Sequence, residues 1–240
     1  MESFDLLHRK WIERALELLQ PARSRTSLLL YKEPPFLGVS LEENVFLVLL
    51  LFRKKQKETM IEGKKLLSQL LAFQNKDTRA RDFGSFPVDI TEFPQCNDRT
   101  LGARLAFFLE IIVKDFGLVL GKELSEKIAE ANQLLFSYIK RNWEEVSWGE
   151  VERLYVELLL PELERKSCNF LPDPSSLGKM VAATDYFPDY PLKKKLLEQA
   201  VLFWDEKSHK YCGPACGLYQ QGVQPVCTLL DCWMGLHVKH

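Results

Sequence analysis

The sequence predicts an all-α fold made of antiparallel helical hairpins in two layers. Almost every segment repeats its apolar residues at helical spacing, and the apolar–polar alternation typical of strands is nearly absent. Helices with one apolar stripe alternate along the chain with helices that are apolar on most sides. The simplest arrangement places the striped helices outside, against solvent, and the apolar helices inside. An irregular helical domain is the alternative interpretation of the same pattern.

The predicted outer helices each keep a polar face. The first, 3–20, ends at Pro21, because proline cannot continue a helix. Three further segments place charged residues opposite an apolar stripe, namely 58–73, 122–141 and 191–204.

The predicted inner helices follow capping signals or are apolar almost all round. The segment 41–54 opens with Ser40 and Glu43, which form a capping box. The segment 148–160 opens with a second capping box at Ser147. Two further segments of this kind are 99–116 and 226–238. Because these helices lack a polar side, we expect other elements to cover them.

The connections from outer to inner helices are long and rich in proline, glycine and aromatic residues, at 21–39, 74–97 and 205–224. The connections from inner to outer helices are short, near 53–57 and 117–121. All the long connections should therefore emerge at one end of the double layer, where functional residues usually lie. The segment 167–190 breaks the pattern, and we expect a hinge or a subdomain edge there.

Composition excludes several classes of protein. A chain of 240 residues can bury a sufficient core without metals or disulfides. Its 32 basic and 33 acidic side chains argue against a nucleic-acid partner. The longest apolar run, 45–52, is far shorter than the roughly 20 residues of a membrane span, and the N-terminus has no signal sequence. We therefore expect a cytoplasmic protein with no membrane partner. No dinucleotide or phosphate loop is present, and no cofactor is predicted.

The outer–inner alternation, over nearly the whole chain, resembles the α/α toroids: six-hairpin glycosidases, heparinase-like polysaccharide lyases and terpene-cyclase-like barrels. Residues 66–74, ending in glutamine, and Asp-Phe-Gly-Ser-Phe at 82–86 look like the turn of such repeats. Asn142 followed by Trp143 is similar to a pair in the lyases. The resemblance implies a funnel that binds an extended ligand such as a glycan, with hydrolase or lyase chemistry. The four outer–inner pairs are fewer than a closed ring has, so residues 1–240 would be a single helical domain, a partial toroid or the N-terminal part of a longer protein.

Two carboxylates near the predicted loop end are the candidate catalytic pair. Glycoside hydrolysis needs two carboxyl groups about 5–9.5 Å apart, one protonated and one ionised. Asp98 beside Arg99 and Glu145 near Trp143 and Trp148 fit this role, with arginine and tryptophan contacting the substrate. The alternative is that the acids cap helix N-termini. Other acids near this end are Glu42, Glu43, Glu144 and Glu150.

The C-terminal stretch is unusually poor in charge. From His209 to His240 only three residues are charged, which is typical of a segment that is buried or lines an interface or pocket. His209 is a third candidate catalytic residue, because imidazole titrates near neutral pH. Tyr211, Tyr219 and Gln220 are candidate ligand contacts.

This stretch also holds four cysteines, Cys212, Cys216, Cys227 and Cys232. With His209 and His237 they could supply a zinc site, but two cysteines five residues apart on a helix project about 140° from each other. Cys212 could instead be a nucleophile, because Tyr-Cys-Gly-Pro-Ala-Cys resembles the start of the double-glycine leader peptidases, although Tyr211 stands where they have aspartate. The third interpretation, buried thiols without a metal, is the one we adopt.

Together these patterns predict a carbohydrate-handling protein that binds an extended ligand at the loop end and acts, if it is catalytic, as a hydrolase or lyase. The alternative is a non-enzymatic helical scaffold that uses residues 209–240 as a protein interface.

Overall fold

The computed structural model describes residues 36–163 without a break, residues 19–29 and 31–33 before them, and a few separate positions elsewhere. The chain divides into two compact units, one spanning Leu19–Leu163 and one combining Met1–Leu18 with Glu164–His240. Of the predicted hinge at 167–190, only Met180 lies among the described residues. Within the described part of the chain, no helix is both long and apolar enough to cross a membrane.

Helices dominate the first unit, and the predicted all-α class is confirmed. Residues 36–163 form five α-helices, namely α1 (Leu41–Arg53), α2 (Lys57–Leu71), α3 (Leu101–Leu120), α4 (Lys122–Asn142) and α5 (Glu150–Leu159). Helix α1 packs against α2, and α3 against α4, as two helical hairpins. Helix α3 also packs against α1 and α5, so the helices predicted to be inner contact one another. A closed or partial toroid stays a prediction.

Two short antiparallel strand pairs accompany the helices. Strands β1 (Tyr31–Glu33) and β2 (Phe36–Gly38) pair with Tyr31 opposite Gly38, inside the long connection before α1. Strands β3 (Trp204–Asp205) and β4 (Lys210–Tyr211) form the second pair. Strands of two or three residues are too short to show a period in the sequence, which is why none was predicted.

Aromatic side chains fill the space between the inner helices. The rings of Phe107 and Tyr155 stack with their centroids 4.0 Å apart, which joins α3 to α5. On another side of α3, Phe108 meets Phe46 of α1 edge-on at 4.3 Å. Helix α3 is thus covered from two sides, as its nearly uniform apolar character predicts.

The beginnings of two inner helices differ in how well the sequence predicts them. The hydroxyl of Ser40 accepts a hydrogen bond from the backbone N–H of Glu43, so the predicted cap of α1 is confirmed. The predicted capping box at Ser147 is wrong, because α5 begins at Glu150 with Gly149 as its N-cap. The carboxylate of Glu152 lies over Gly149 at this N-cap.

The connection between α2 and α3 is fixed by a buried glutamine. Gln74 donates through Nε2 to the carbonyls of Gly84 and Ala131, both at 2.9 Å, and so ties the connection to α4. Gly84 has φ +92°, and a Cβ there would lie 2.5 Å from the carbonyl oxygen of Leu134. The glutamine and glycine noted in the sequence therefore form one hydrogen-bonded unit.

The described long connections meet at one end of the helices, as predicted. The backbone N–H of Val39 donates to Asp89 at 2.6 Å, and the N–H of Ile90 donates back to the carbonyl of Val39 at 3.0 Å. Arg81 reaches Glu145 in the connection between α4 and α5 at 3.3 Å. The segment 205–224 lies outside the described residues except for the backbone of Asp205 and β4.

Candidate functional site

One guanidinium group joins the starts of the three inner helices. Arg104, in the first turn of α3, donates through Nε to Oε2 of Glu42 at 3.1 Å and through Nη2 to Oδ2 of Asp98 at 2.9 Å. Its Nη1 donates to the hydroxyl of Thr100 at 3.0 Å and also pairs with the carboxylate of Glu152. We call Arg104, Glu42, Asp98, Thr100 and Glu152 the arginine hub.

The arginine hub places three carboxylates around one cation in a shielded position. The side chains of Arg104 and Glu152 are only 14% and 11% exposed. Burial lowers the pKa of Arg104, but the three surrounding carboxylates outweigh it, and the pKa is raised overall. Burial, with the negative charges of Glu42 and Glu152, raises the pKa of the Tyr155 phenol well above its usual value. Arg104 is therefore a cation in neutral solution.

Both carboxylate oxygens of Asp98 have partners inside the hub. Oδ1 accepts from the backbone N–H and the hydroxyl of Thr100, both at 2.7 Å, while Oδ2 accepts from Arg104. Burial raises the pKa of Asp98, but the Thr100 and Arg104 contacts outweigh it and lower the pKa overall. Asp98 is thus an ionised aspartate that holds Thr100, the N-cap residue of α3.

Glu145 lies between two arginines at the surface. Its Oε2 is 3.3 Å from Nη2 of Arg81 and 3.4 Å from Nη2 of Arg99, and its side chain is 62% exposed. Hydrogen bonds from Arg81 and then from Arg99 lower the pKa of this carboxyl. Arg99 also donates to the side-chain oxygen of Asn142, so the last residue of α4 helps to orient it. Glu145 is ionised at neutral pH and open to solvent.

The two tryptophans of the site have different surroundings. Trp148 is only 5% exposed, whereas Trp143 is half-buried. Their ring centroids lie 5.6 Å apart, and the indole N–H of Trp148 donates to the carbonyl of Trp143 at 3.0 Å. Trp148 therefore packs against Trp143 from the buried side. Of the two tryptophans, Trp143 has the side chain with exposed surface available for a ligand.

A third arginine extends the basic surface beside Glu145. Arg141 donates to the carbonyl of Phe83 at 2.7 Å, and its guanidinium carbon lies 5.7 Å from the centroid of the Phe83 ring. Such contacts fix the side chain by hydrogen bonding and cation–π attraction together. Guanidinium groups from the connection between α2 and α3 and from α4 thus lie at the same end of the unit as the arginine hub.

Five of the predicted site residues lie at this end: Asp98, Arg99, Trp143, Glu145 and Trp148. The other predictions concern residues that the structure does not describe, namely His209, Tyr219, Gln220 and the four C-terminal cysteines, while Tyr211 is described only through its backbone pairing with Trp204. Among the described residues, no group of three His, Cys, Asp or Glu side chains is placed to hold a metal ion. The described free cysteine, Cys96, is buried, and desolvation with a hydrogen bond to Asp82 raises the pKa of its thiol.

Sequence reasoning missed Arg104, the residue with the most partners in the site. A signal for it exists in the sequence: Arg104 is the one charged residue in the first nine of α3, in a stretch that otherwise reads Leu-Gly-Ala-x-Leu-Ala-Phe-Phe-Leu. A lone charge in a buried helix must be paired, and acids near the loop end are the natural partners.

Comparisons of the chain with protein-family models, with curated proteins and with solved structures find no match.

Proposed function

We propose that this chain is a carbohydrate-binding helical-hairpin protein that holds an extended ligand across the end where the long connections meet. The observation that carries the proposal is the position of Glu145, an exposed carboxylate between Arg81 and Arg99 and two residues from Trp143. Hydrogen-bonding charged groups beside an aromatic face suit a sugar, which presents hydroxyls at its edge and an apolar ring face. A cytoplasmic location is part of the same proposal.

The ionisation of the two candidate catalytic carboxyls favours binding over hydrolysis by this pair. A glycoside hydrolase needs one carboxyl whose pKa is raised so that it can donate a proton. The pKa values of Asp98 and Glu145 are both lowered. We assign Asp98 to the support of the arginine hub and Glu145 to accepting hydrogen bonds from ligand hydroxyls. The hydrolase or lyase activity expected from the toroid resemblance stays a prediction, for which His209 is the proposed proton-transfer group.

The arginine hub gives the proposed site its rigidity. Asp98 accepts a hydrogen bond from Arg104 in the hub, and the next residue in the chain, Arg99, donates to Glu145. The hub and Glu145 are therefore connected through two consecutive residues. The carbonyl of Arg99 also accepts a hydrogen bond from the hydroxyl of Tyr138 at 3.1 Å, which fixes the backbone from α4. A binding surface held in this way loses little conformational freedom when a ligand binds.

Isothermal titration calorimetry with soluble oligosaccharides tests the proposal. Cello-, chito- and galacturono-oligosaccharides provide neutral, acetamido and carboxylate ligands on similar extended chains. Trp143→Ala should weaken binding at least about tenfold, as loss of a central aromatic contact does at binding surfaces. Glu145→Gln should weaken it severalfold, because the amide keeps the shape but loses a charged acceptor.

The matched control for this experiment is Lys76→Gln, which removes one charge from an exposed pair with Glu130 in α4, away from Glu145 and Trp143. It should leave oligosaccharide affinity unchanged. Failure of the unmodified protein to bind any of the three ligands would overturn the proposal, and the helical scaffold with its interface at 209–240 would replace it.

A further inference from the structure

The turns of the two helical hairpins lie side by side at the end opposite the arginine hub. Arg53, the last residue of α1, pairs with Asp115 of α3, and its guanidinium carbon lies 5.4 Å from the centroid of the Phe116 ring. The rings of Phe52 and Phe116 are 5.3 Å apart. Residues 53–58 and 114–123 therefore form one surface, which we call the hairpin tip.

The hairpin tip exposes apolar side chains where the last turn of α3 leaves the core. Phe116 and Leu120 are four residues apart, so they share one face of α3, and they are only 6% and 4% exposed. Leu118 and Val119 lie off that face and are 105% and 44% exposed. The flanking residues Gly117 and Gly121 have no atom within 4 Å of the position a Cβ would take. Leu118 and Val119 thus project from a turn that is open to solvent on both sides.

The same surface has an excess of positive charge. Residues 53–58 contain four basic residues and one acidic residue, and residues 114–123 contain equal numbers of each. Asp115 is already paired with Arg53, and Glu123 with Lys127. Lys54, Lys55 and Lys57 make no ion pair with any residue in the described part of the chain. Three lysines therefore remain next to the exposed apolar pair without a protein counter-ion among those residues.

We propose that the hairpin tip docks on an anionic lipid bilayer, with Leu118 and Val119 in the headgroup boundary and Lys54, Lys55 and Lys57 against the headgroups. Protein interfaces bury about 800 Å² on each partner, which is far more than two apolar side chains supply. Membrane-surface binding requires only a few apolar side chains that dip into the interface and lysines near anionic lipids, each contributing about a fivefold factor in affinity. Surface docking needs no spanning helix, and it is independent of the oligosaccharide site.

Co-sedimentation of the full chain with phosphatidylcholine vesicles, with and without phosphatidylserine, tests this proposal. Binding should require phosphatidylserine and should fall as salt is raised, because salt screens the lysine charges. The double variant Lys55→Gln/Lys57→Gln should bind about 25-fold more weakly, and Leu118→Ser about tenfold more weakly. Both changes lie on exposed residues, so we expect the fold to stay intact. Unchanged urea unfolding curves would verify this.

The matched control is Lys76→Gln/Arg79→Gln, which lowers the net charge by the same amount in the connection between α2 and α3, outside the hairpin tip. It should keep the vesicle affinity of the unmodified protein. The proposal fails if the control loses as much affinity as the lysine variant or if phosphatidylserine has no effect. It also fails if Leu118→Ser leaves vesicle binding intact and instead converts a dimer to a monomer in sedimentation velocity, which would make the tip an interface between copies of the chain.

Discussion

Arg104 and Asp98 share a hydrogen bond of 2.9 Å that connects the first turn of α3 to the connection preceding that helix. The same guanidinium reaches Glu42 at the start of α1 and Glu152 at the start of α5. A helix N-terminus carries partial positive charge, which favours a carboxylate but repels a nearby second N-terminus. The three carboxylates offset the helix dipoles, and Arg104 in turn offsets the carboxylates. Because these opposite charges offset one another, three helix N-termini can lie close together.

Removing the hub cation should destabilise the protein strongly. Arg104→Met would leave three shielded carboxylates without their counter-ion, and loss of one partner of a buried ion pair costs about 3–5 kcal/mol. Urea unfolding at pH 7 measures the change in the free energy of unfolding. Because Arg104 helps to lower the pKa of Asp98, the loss in unfolding free energy should become smaller as the pH falls and Asp98 is protonated.

Two further variants provide the comparison for Arg104→Met. Arg104→Lys keeps the charge but not the planar fork that reaches several acceptors, so its unfolding free energy should fall between those of the unmodified protein and Arg104→Met. Lys76→Met removes one partner of a solvent-exposed ion pair and should change stability little. If Arg104→Met and Lys76→Met had the same effect, the arginine hub would contribute no more than a surface pair.

Asp98 should make stability depend on pH in the acid range. The Thr100 and Arg104 contacts lower the pKa of this carboxyl in the folded protein below its ordinary value, so folding favours the ionised form. The stabilisation is therefore fully present above the unfolded pKa of about 3.9 and is lost as the pH falls through the lower folded pKa. Urea unfolding from pH 7 to pH 3 should show this loss. Asp98→Asn should flatten the acid limb, and an unchanged acid limb would assign the dependence to other carboxyls.

Gly84 should not tolerate a side chain. Its positive φ disfavours any residue with a Cβ, and the added atom would meet the carbonyl of Leu134 at 2.5 Å. We expect Gly84→Ala to lower the free energy of unfolding by about 2 kcal/mol or more. Gly117→Ala is the matched control, because Gly117 lies within α3 with open space around it and should gain about 0.5–1 kcal/mol. Opposite signs for the two alanine variants in thermal unfolding are the expected outcome.

Gln74 should contribute to stability through its two hydrogen bonds rather than through its volume. Gln74→Met keeps a similar size but leaves the carbonyls of Gly84 and Ala131 without this donor in a buried environment. An unsatisfied buried polar group costs about 1–3 kcal/mol. Amide hydrogen exchange should also speed up at Gly84, whose N–H donates to the carbonyl of Asn75 at 2.8 Å. Unchanged exchange at Gly84 would show that the connection is held by other contacts.

Within residues 36–163, the sequence by itself predicted the helices and their division into inner and outer ones, whereas the predicted helices 3–20, 191–204 and 226–238 lie almost wholly outside the described residues. The start of α1 at Leu41 and the all-round apolar character of α1 and α3 follow from local patterns, since helical period and capping are properties of neighbouring residues. The gathering of the long connections at one end follows from connection lengths alone. These features needed no knowledge of which helix contacts which.

Only the tertiary structure decided the partners of the side chains. Arg104 meets acids that lie 62 and 48 residues away in the sequence, and no local pattern specifies such a pairing. The same holds for Trp148, which is buried and packs against Trp143. Burial and charge pairing depend on distances between distant segments. The sequence restricts those distances through the fold, but the packing of the helices sets them.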